Sequence, residues 1–135
     1  LHCATICFDD WPEYSEILGA WWEWGQSGHA PYQEHRMHVQ TDAHPITEGI
    51  EDFDIVDELY TDPMISDSVA PLIEAEWEDT DHPILWVRWY GGARVCYNAL
   101  GHGPEAFDHP ANQTLLQRGA LWVLGEIGDG ESRML

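Results

Sequence analysis

Apolar and polar positions alternate most clearly between residues 84 and 100. Ile84-Leu85-Trp86-Val87-Arg88-Trp89-Tyr90, then Gly91-Gly92, then Ala93-Arg94-Val95-Cys96-Tyr97-Asn98-Ala99-Leu100 predicts a β-hairpin. The Gly-Gly pair supplies the positive φ that a two-residue loop requires. Its register sets Trp86 opposite Tyr97, Arg88 opposite Val95 and Trp89 opposite Arg94, the last a candidate cation–π pair. A second alternation, His35 to Thr41, puts Met37 and Val39 on one face and Arg36, His38 and Gln40 on the other. A third runs from Phe53 to Tyr60. Phe53, Ile55, Asp57 and Leu59 share one face; Asp54, Val56, Glu58 and Tyr60 take the other. A carboxylate at Asp57 must be hydrogen-bonded or paired if that face is the core. Ser68 to Trp77 fits either an edge strand or the first turns of a helix, because Pro71 suits both.

Two segments carry helical spacing. Asp10 is placed to cap a helix that opens with Pro12 and Glu13, presents Tyr14, Ile17 and Leu18, and stops at Gly19. Asn112 is placed to cap a last helix running to about Glu126, with Leu115, Leu116, Gly119, Ala120 and Val123 along one stripe. Pro45 turns the chain at Ala43–Thr47, and Gly101-His102-Gly103-Pro104 is a loop. Residues 1–5 read as a strand end entering a loop, and Gly128 onward as a frayed tail. One domain over 1–127 with a flexible 128–135 is therefore expected.

Composition narrows the partners. The 135 residues hold 25 Asp and Glu against five Arg and no Lys, for a formal charge of −20. Phosphate contacts need clustered cations, so a nucleic-acid binder or a protein docking on anionic lipid is excluded. With 44% hydrophobic residues and eight Trp, the chain has material for a core and is not disordered. Such acidity fits a surface kept hydrated at high salt, or simply an acidic bacterial protein. Three Cys with no pairing pattern argue against a disulfide framework. No apolar run reaches membrane-spanning length, and no basic, apolar leader opens the sequence, so a cytoplasmic protein is expected.

Candidate chemistry rests on histidines and carboxylates. His102, between Gly101 and Gly103, sits on a loop that can approach a ligand closely. Cys3 with His102 as base is a candidate thiolate pair for an amidase. Asp57 and Glu58 point to opposite faces and cannot form a dyad. Glu58 is the candidate to bind a metal or a sugar hydroxyl; Asp57 faces a site or pairs with Arg88 or Arg94. His2, His29, His102 and Glu58 assemble on paper into a site suited to zinc, although no local metal spacing supports it. Trp11, Trp24 and Trp89 are candidates to stack on a sugar ring.

Several blocks together resemble the ThuA-like family, named for trehalose utilisation. They are Leu1-His2-Cys3-Ala4-Thr5, Asp10-Trp11-Pro12-Glu13-Tyr14, His44-Pro45-Ile46-Thr47-Glu48-Gly49-Ile50, Asp57-Glu58-Leu59-Tyr60, His82-Pro83 with Trp86 through Tyr97, Leu100-Gly101-His102, and Arg118-Gly119-Ala120-Leu121-Trp122. The resemblance implies an α/β, flavodoxin-like three-layer sandwich of the class I glutamine amidotransferase type, present here without its N-terminal βαβ portion. Such a piece is expected to be marginal or to associate as a homo-oligomer. The resemblance also places His2 at the strand tip where the amidotransferase relatives hold their nucleophile, at the carboxyl edge of the sheet where such folds bind ligands. His29 resembles a His-Pro position of the family, with Ala30 replacing the proline.

On this resemblance the expected role is carbohydrate metabolism, with trehalose or a related disaccharide used after oxidation by a partner dehydrogenase. His2, His102 and Glu58 are the expected catalytic groups, His2, His29 and His102 the metal ligands, and Trp11, Asp57 and Tyr60 the substrate-binding residues. A non-catalytic sugar-binding or sensing module and a Cys3-dependent amidase are the alternatives.

Overall fold

A computed structural model describes residues 1–8 and 10–129. Cys3 takes the left-handed region (φ 68°), and Ala4 and Ile6 donate their N–H groups to the carbonyls of Leu1 and Cys3. Residues 2–8 are therefore successive turns, where the sequence predicts the end of a strand. Helix α1 spans Pro12–Leu18 and stops at Gly19 in the left-handed conformation (φ 73°), as the sequence predicts. Trp11, not Asp10, stands at its N-cap, and no side chain caps it; Pro12 fixes the first turn instead.

The strands follow in chain order: β1 Ala20–Trp21, β2 Gly28–His29, β3 Gln33–Val39, β4 Phe53–Asp57, β5 Tyr60–Thr61, β6 Met64–Ile65, β7 Ala70–Trp77, β8 Thr80–Tyr90 and β9 Ala93–Asn98. Five form one sheet in the order β4-β3-β7-β8-β9, and each neighbouring pair is antiparallel. The β1–β6 and β2–β5 pairs are separate two-stranded ribbons. The chain is thus α/β with an antiparallel sheet; the parallel pairings of a flavodoxin-like core do not occur among the described residues. The hairpin forms in the expected register, with Trp86↔Tyr97, Arg88↔Val95 and Trp89↔Arg94 paired. The ambiguous segment is strand β7, whose register shifts around Pro71–Glu74 accommodate a proline that cannot donate to a ladder.

Two helices follow: α2 Pro104–Asp108, which starts at the last residue of the predicted Gly101–Pro104 loop, and α3 Pro110–Val123. His109 caps α3 by accepting the Ala111 N–H at Nδ1. Asn112 instead lies inside the helix, fully buried, joining the Asn98 side chain (2.8 Å) and the Ala106 carbonyl (2.8 Å). The buried stripe is accordingly Asn112, Leu115, Gly119 and Trp122, with Ala120 and Val123 facing outward. A helix set by tertiary hydrogen bonds turns its face away from the purely apolar stripe.

Alternation across the β8–β9 hairpin sends neighbouring residues to opposite faces. Trp86, stacked on Tyr97 (4.1 Å between rings), donates its indole N–H to the Leu18 carbonyl of α1. On the other face Gly119 of α3 sits against Cys96, where a Cβ would stand 3.1 Å from the sulfur. Arg94 lies over the rings of both Trp89 and Trp122 (5.3 and 5.1 Å) and pairs with Asp129 at 2.7 Å. The expected cation–π pair is present, and it includes a second ring. Within the expected tail, that ion pair ties Asp129 to the sheet, while 130–135 lie outside the described residues.

Candidate functional site

His2, Glu58 and His102 come together where β4 and β9 end. One ligand atom from each lies within 4.8 Å of the other two. The two imidazoles meet edge to face with centroids 5.4 Å apart. Glu58 is the centre: its Oε1 lies 3.7 Å from His2 Nε2, and its Oε2 lies 3.6 Å from both His102 Nδ1 and His29 Nδ1. His29 belongs to the Glu58 surroundings but not to the tight triplet; more than half exposed, it also reaches the carbonyl of Ala30 (3.2 Å).

The tautomer of His2 follows from its partner. Its Nδ1 is 2.6 Å from the Ala99 carbonyl oxygen, which can only accept, so Nδ1 carries the proton. In the neutral ring Nε2 is then a lone pair. That atom is buried, has no hydrogen-bond partner, and faces a carboxylate. Two electron-rich atoms so placed call for a cation between them, a proton or a metal ion. A carbonyl fixing the far nitrogen is the usual support for a metal-binding imidazole. Tetrahedral zinc with bonds of about 2.0–2.1 Å sets its ligands roughly 3.4 Å apart, close to the separations found here. The donor set therefore fits a divalent ion of zinc type.

The loop under His102 is clamped by Asp57. This carboxylate is 1% exposed, and its two oxygens accept the N–H groups of Gly101 (2.7 Å) and His102 (2.9 Å). The requirement that a carboxylate on the apolar face be hydrogen-bonded is thus met by backbone rather than by Arg88 or Arg94. Asp57 positions the loop; its oxygens are taken up beneath it. Tyr60 stacks on His2 (4.4 Å), is 5% exposed, and donates its hydroxyl to Cys3 Sγ at 3.4 Å. Burial and the Cys3 contact push its phenol well above the ordinary range, so it stays protonated. Trp11 packs with Phe8 and Tyr14 at the start of α1, and its ring contacts are with them, not with the cluster.

The structure adds Tyr32, which sequence reasoning does not single out. Its ring is 5.5 Å from that of His102, and its hydroxyl donates to Glu105 of α2. That bond pushes the phenol up to about 12 and lowers the Glu105 carboxyl. Gly103 makes room for the pair: a Cβ there would overlap the Tyr32 hydroxyl and stand 2.9 Å from Glu105 Oε2. The glycine flanking His102 was the available signal. Gly103→Ala should therefore displace Tyr32 from Glu105 while destabilising the protein by only about 1 kcal/mol or less, read by urea denaturation, because both side chains are exposed and can move aside. His35, on the same face of β3 as Met37, is buried (6% exposed) with Nε2 on the Pro31 carbonyl.

Comparison with known proteins bears on this arrangement. A family model described as "ThuA: Trehalose utilisation" matches residues 1–123. Among solved structures, a ThuA-like protein from Parabacteroides merdae superposes with a TM-score of 0.77 at 24% identity. The match covers 90% of this chain and 58% of that one, so the chain spans little more than half of that protein's length. At this identity the likeness shows the fold. No curated protein matches the sequence.

Proposed function

Since the chain belongs to the ThuA family, described by trehalose utilisation, we propose that it acts in carbohydrate metabolism through the His2–Glu58–His102 cluster. The substrate we assign is an oxidised, keto-bearing glycoside of the trehalose type, whose carbonyl comes from a partner dehydrogenase. The same reading takes the flavodoxin-like three-layer sandwich as the form of the whole family domain.

The observation that carries it is the lone pair of His2 Nε2, buried and unpartnered, opposite the Glu58 carboxylate. His2, His102 and Glu58 would hold a divalent ion, with His29 beside Glu58 as the outer imidazole. When bound, such an ion supplies a Lewis acid that polarises a carbonyl. The chain's own residues do the rest. Ala99 holds the His2 ring through Nδ1, so Nε2 keeps its direction. His102, half exposed on its glycine-flanked loop, would either complete the ligand set or, left unligated, take a proton from substrate and return it. Glu58 accepts a sugar hydroxyl and thereby orients the ring. Asp57 keeps His102 in reach of both.

Conversion of a keto-disaccharide by the full-length protein, followed by product analysis, tests the reading. Wild type should turn the sugar over, and His2→Ala and His102→Ala should each bring turnover to background and weaken zinc binding in calorimetry by about 100-fold or more. Unchanged turnover in both variants removes the catalytic reading. Saturable sugar binding with no product and no metal requirement would leave a binding module.

A further inference from the structure

A cavity of about 720 Å³ lies at the opposite end of the sheet from the histidine cluster. The cluster sits where β3 begins and β4 and β9 end, whereas the cavity is bordered by Thr41 and His44 beyond the end of β3, Ser68 before β7, and Trp89 at the end of β8. Its volume falls in the range of small-molecule sites.

We propose that this cavity is a second binding site, for an uncharged pyranose sugar one or two rings long, stacked on Trp89. The proposal stands apart from the reading of the His2 cluster. Trp89 is 53% exposed, yet its ring is fixed. Arg94 lies over it, Trp122 meets it at 6.3 Å, and Asp129 and the carbonyls of Trp122 and Ile127 hold the guanidinium. A large aromatic held rigidly with half its surface bare is suited to the C–H face of a sugar ring.

The polar groups around it are of the matching kind. Trp122 borders the cavity and, 2% exposed, forms part of its wall. His44 also borders it. Its Nδ1 accepts the Ile46 N–H, so Nε2 carries the proton of the neutral ring, and burial holds its pKa below the ordinary value, favouring that neutral form. Thr41 and Ser68 add hydroxyls, beside the apolar Leu72 and Val87.

Charge decides against ionic ligands. Arg88 and Asp129 both border the cavity, but the Arg88 guanidinium is turned to the Glu16 carbonyl and the Tyr90 ring, Asp129 is paired with Arg94, and a net −20 repels an anion. A cation would meet the Arg94 guanidinium lying over both rings. What remains is a neutral molecule with one apolar face and many oxygens.

Titration calorimetry on the full-length protein, with methyl α-D-glucopyranoside and α,α-trehalose as probes, tests the site. Wild type should bind at least one of them saturably. Trp89→Ala should weaken that binding about tenfold or more, Trp89→Tyr should retain most of it, and the His2→Ala/His102→Ala double variant should bind as wild type does. Thermal melts establish that each variant is folded. Absence of saturable binding, equal binding by folded Trp89→Ala, or loss of binding in the double histidine variant overturns the proposal. So does uptake of adenosine but neither sugar, which would mark a site for planar aromatics. Failure of keto-disaccharide turnover leaves all these outcomes untouched, so the two readings fail separately.

Discussion

Asp57→Asn is expected to destabilise the protein by about 3 kcal/mol and to loosen His102 at once. The native carboxylate, almost wholly buried, accepts two backbone N–H groups, one on each oxygen. An asparagine offers one acceptor and turns an NH₂ group toward the other amide, donor against donor. One charge-assisted bond is lost, and a buried N–H is left unpaired; each is worth about 1–3 kcal/mol. Gly101 cannot swing away to find another acceptor, because its φ of 130° suits glycine alone and a Cβ there would stand 2.7 Å from the Phe107 ring. Denaturant unfolding reads the stability, and zinc calorimetry reads the site. Affinity should fall by about 10- to 100-fold, the usual effect of losing a group that orients a ligand. A loss below about 1 kcal/mol, with zinc affinity intact, would show that the loop holds its shape without the clamp.

Trp86→Ala should cost more, about 4 kcal/mol, a large part of the roughly 5–15 kcal/mol that holds a small domain together. Trp86 is 1% exposed and stacks on Tyr97, so truncation opens a cavity at the centre of the hairpin. It also removes the indole bond to Leu18, which fastens α1 to the sheet (3.0 Å). Trp86→Phe separates the two effects. It keeps most of the ring packing and gives up only the bond, for a loss of about 1.5 kcal/mol. Thermal and urea unfolding of both variants check this. Equal losses in the two would mean that the bond, and not the packing, dominates.

Much of the sheet was legible because its signals are local. Gly91-Gly92 dictates the turn, and the turn dictates the register of everything from Trp86 to Tyr97. The parity of Phe53 to Leu59 put Asp57 inside, and a buried carboxylate had to find donors. Which donors was not legible: Gly101 and His102 lie more than forty residues away, and no periodicity reports such a partner. The same holds for Asn112, whose polar side chain reads as a cap until Asn98 and the Ala106 carbonyl are seen around it. Residues 2–8 escaped for a different reason. Cys3 in the left-handed region is a conformation that sequence gives no cause to expect of cysteine. The meeting of His2 with His102 was expected on family resemblance, not spacing, and Tyr32 was overlooked because its relation to Glu105 spans 73 positions.

Strand β8 runs unbroken from Thr80 to Tyr90, with His82 near the end that holds the histidine cluster and Trp89 near the other. Seven residues at about 3.4 Å each put roughly 24 Å of pleated backbone between them. Guests lodged at the two ends share no side chain and cannot jostle one another. Their free energies should simply add, so that filling one berth leaves the grip of the other as it was.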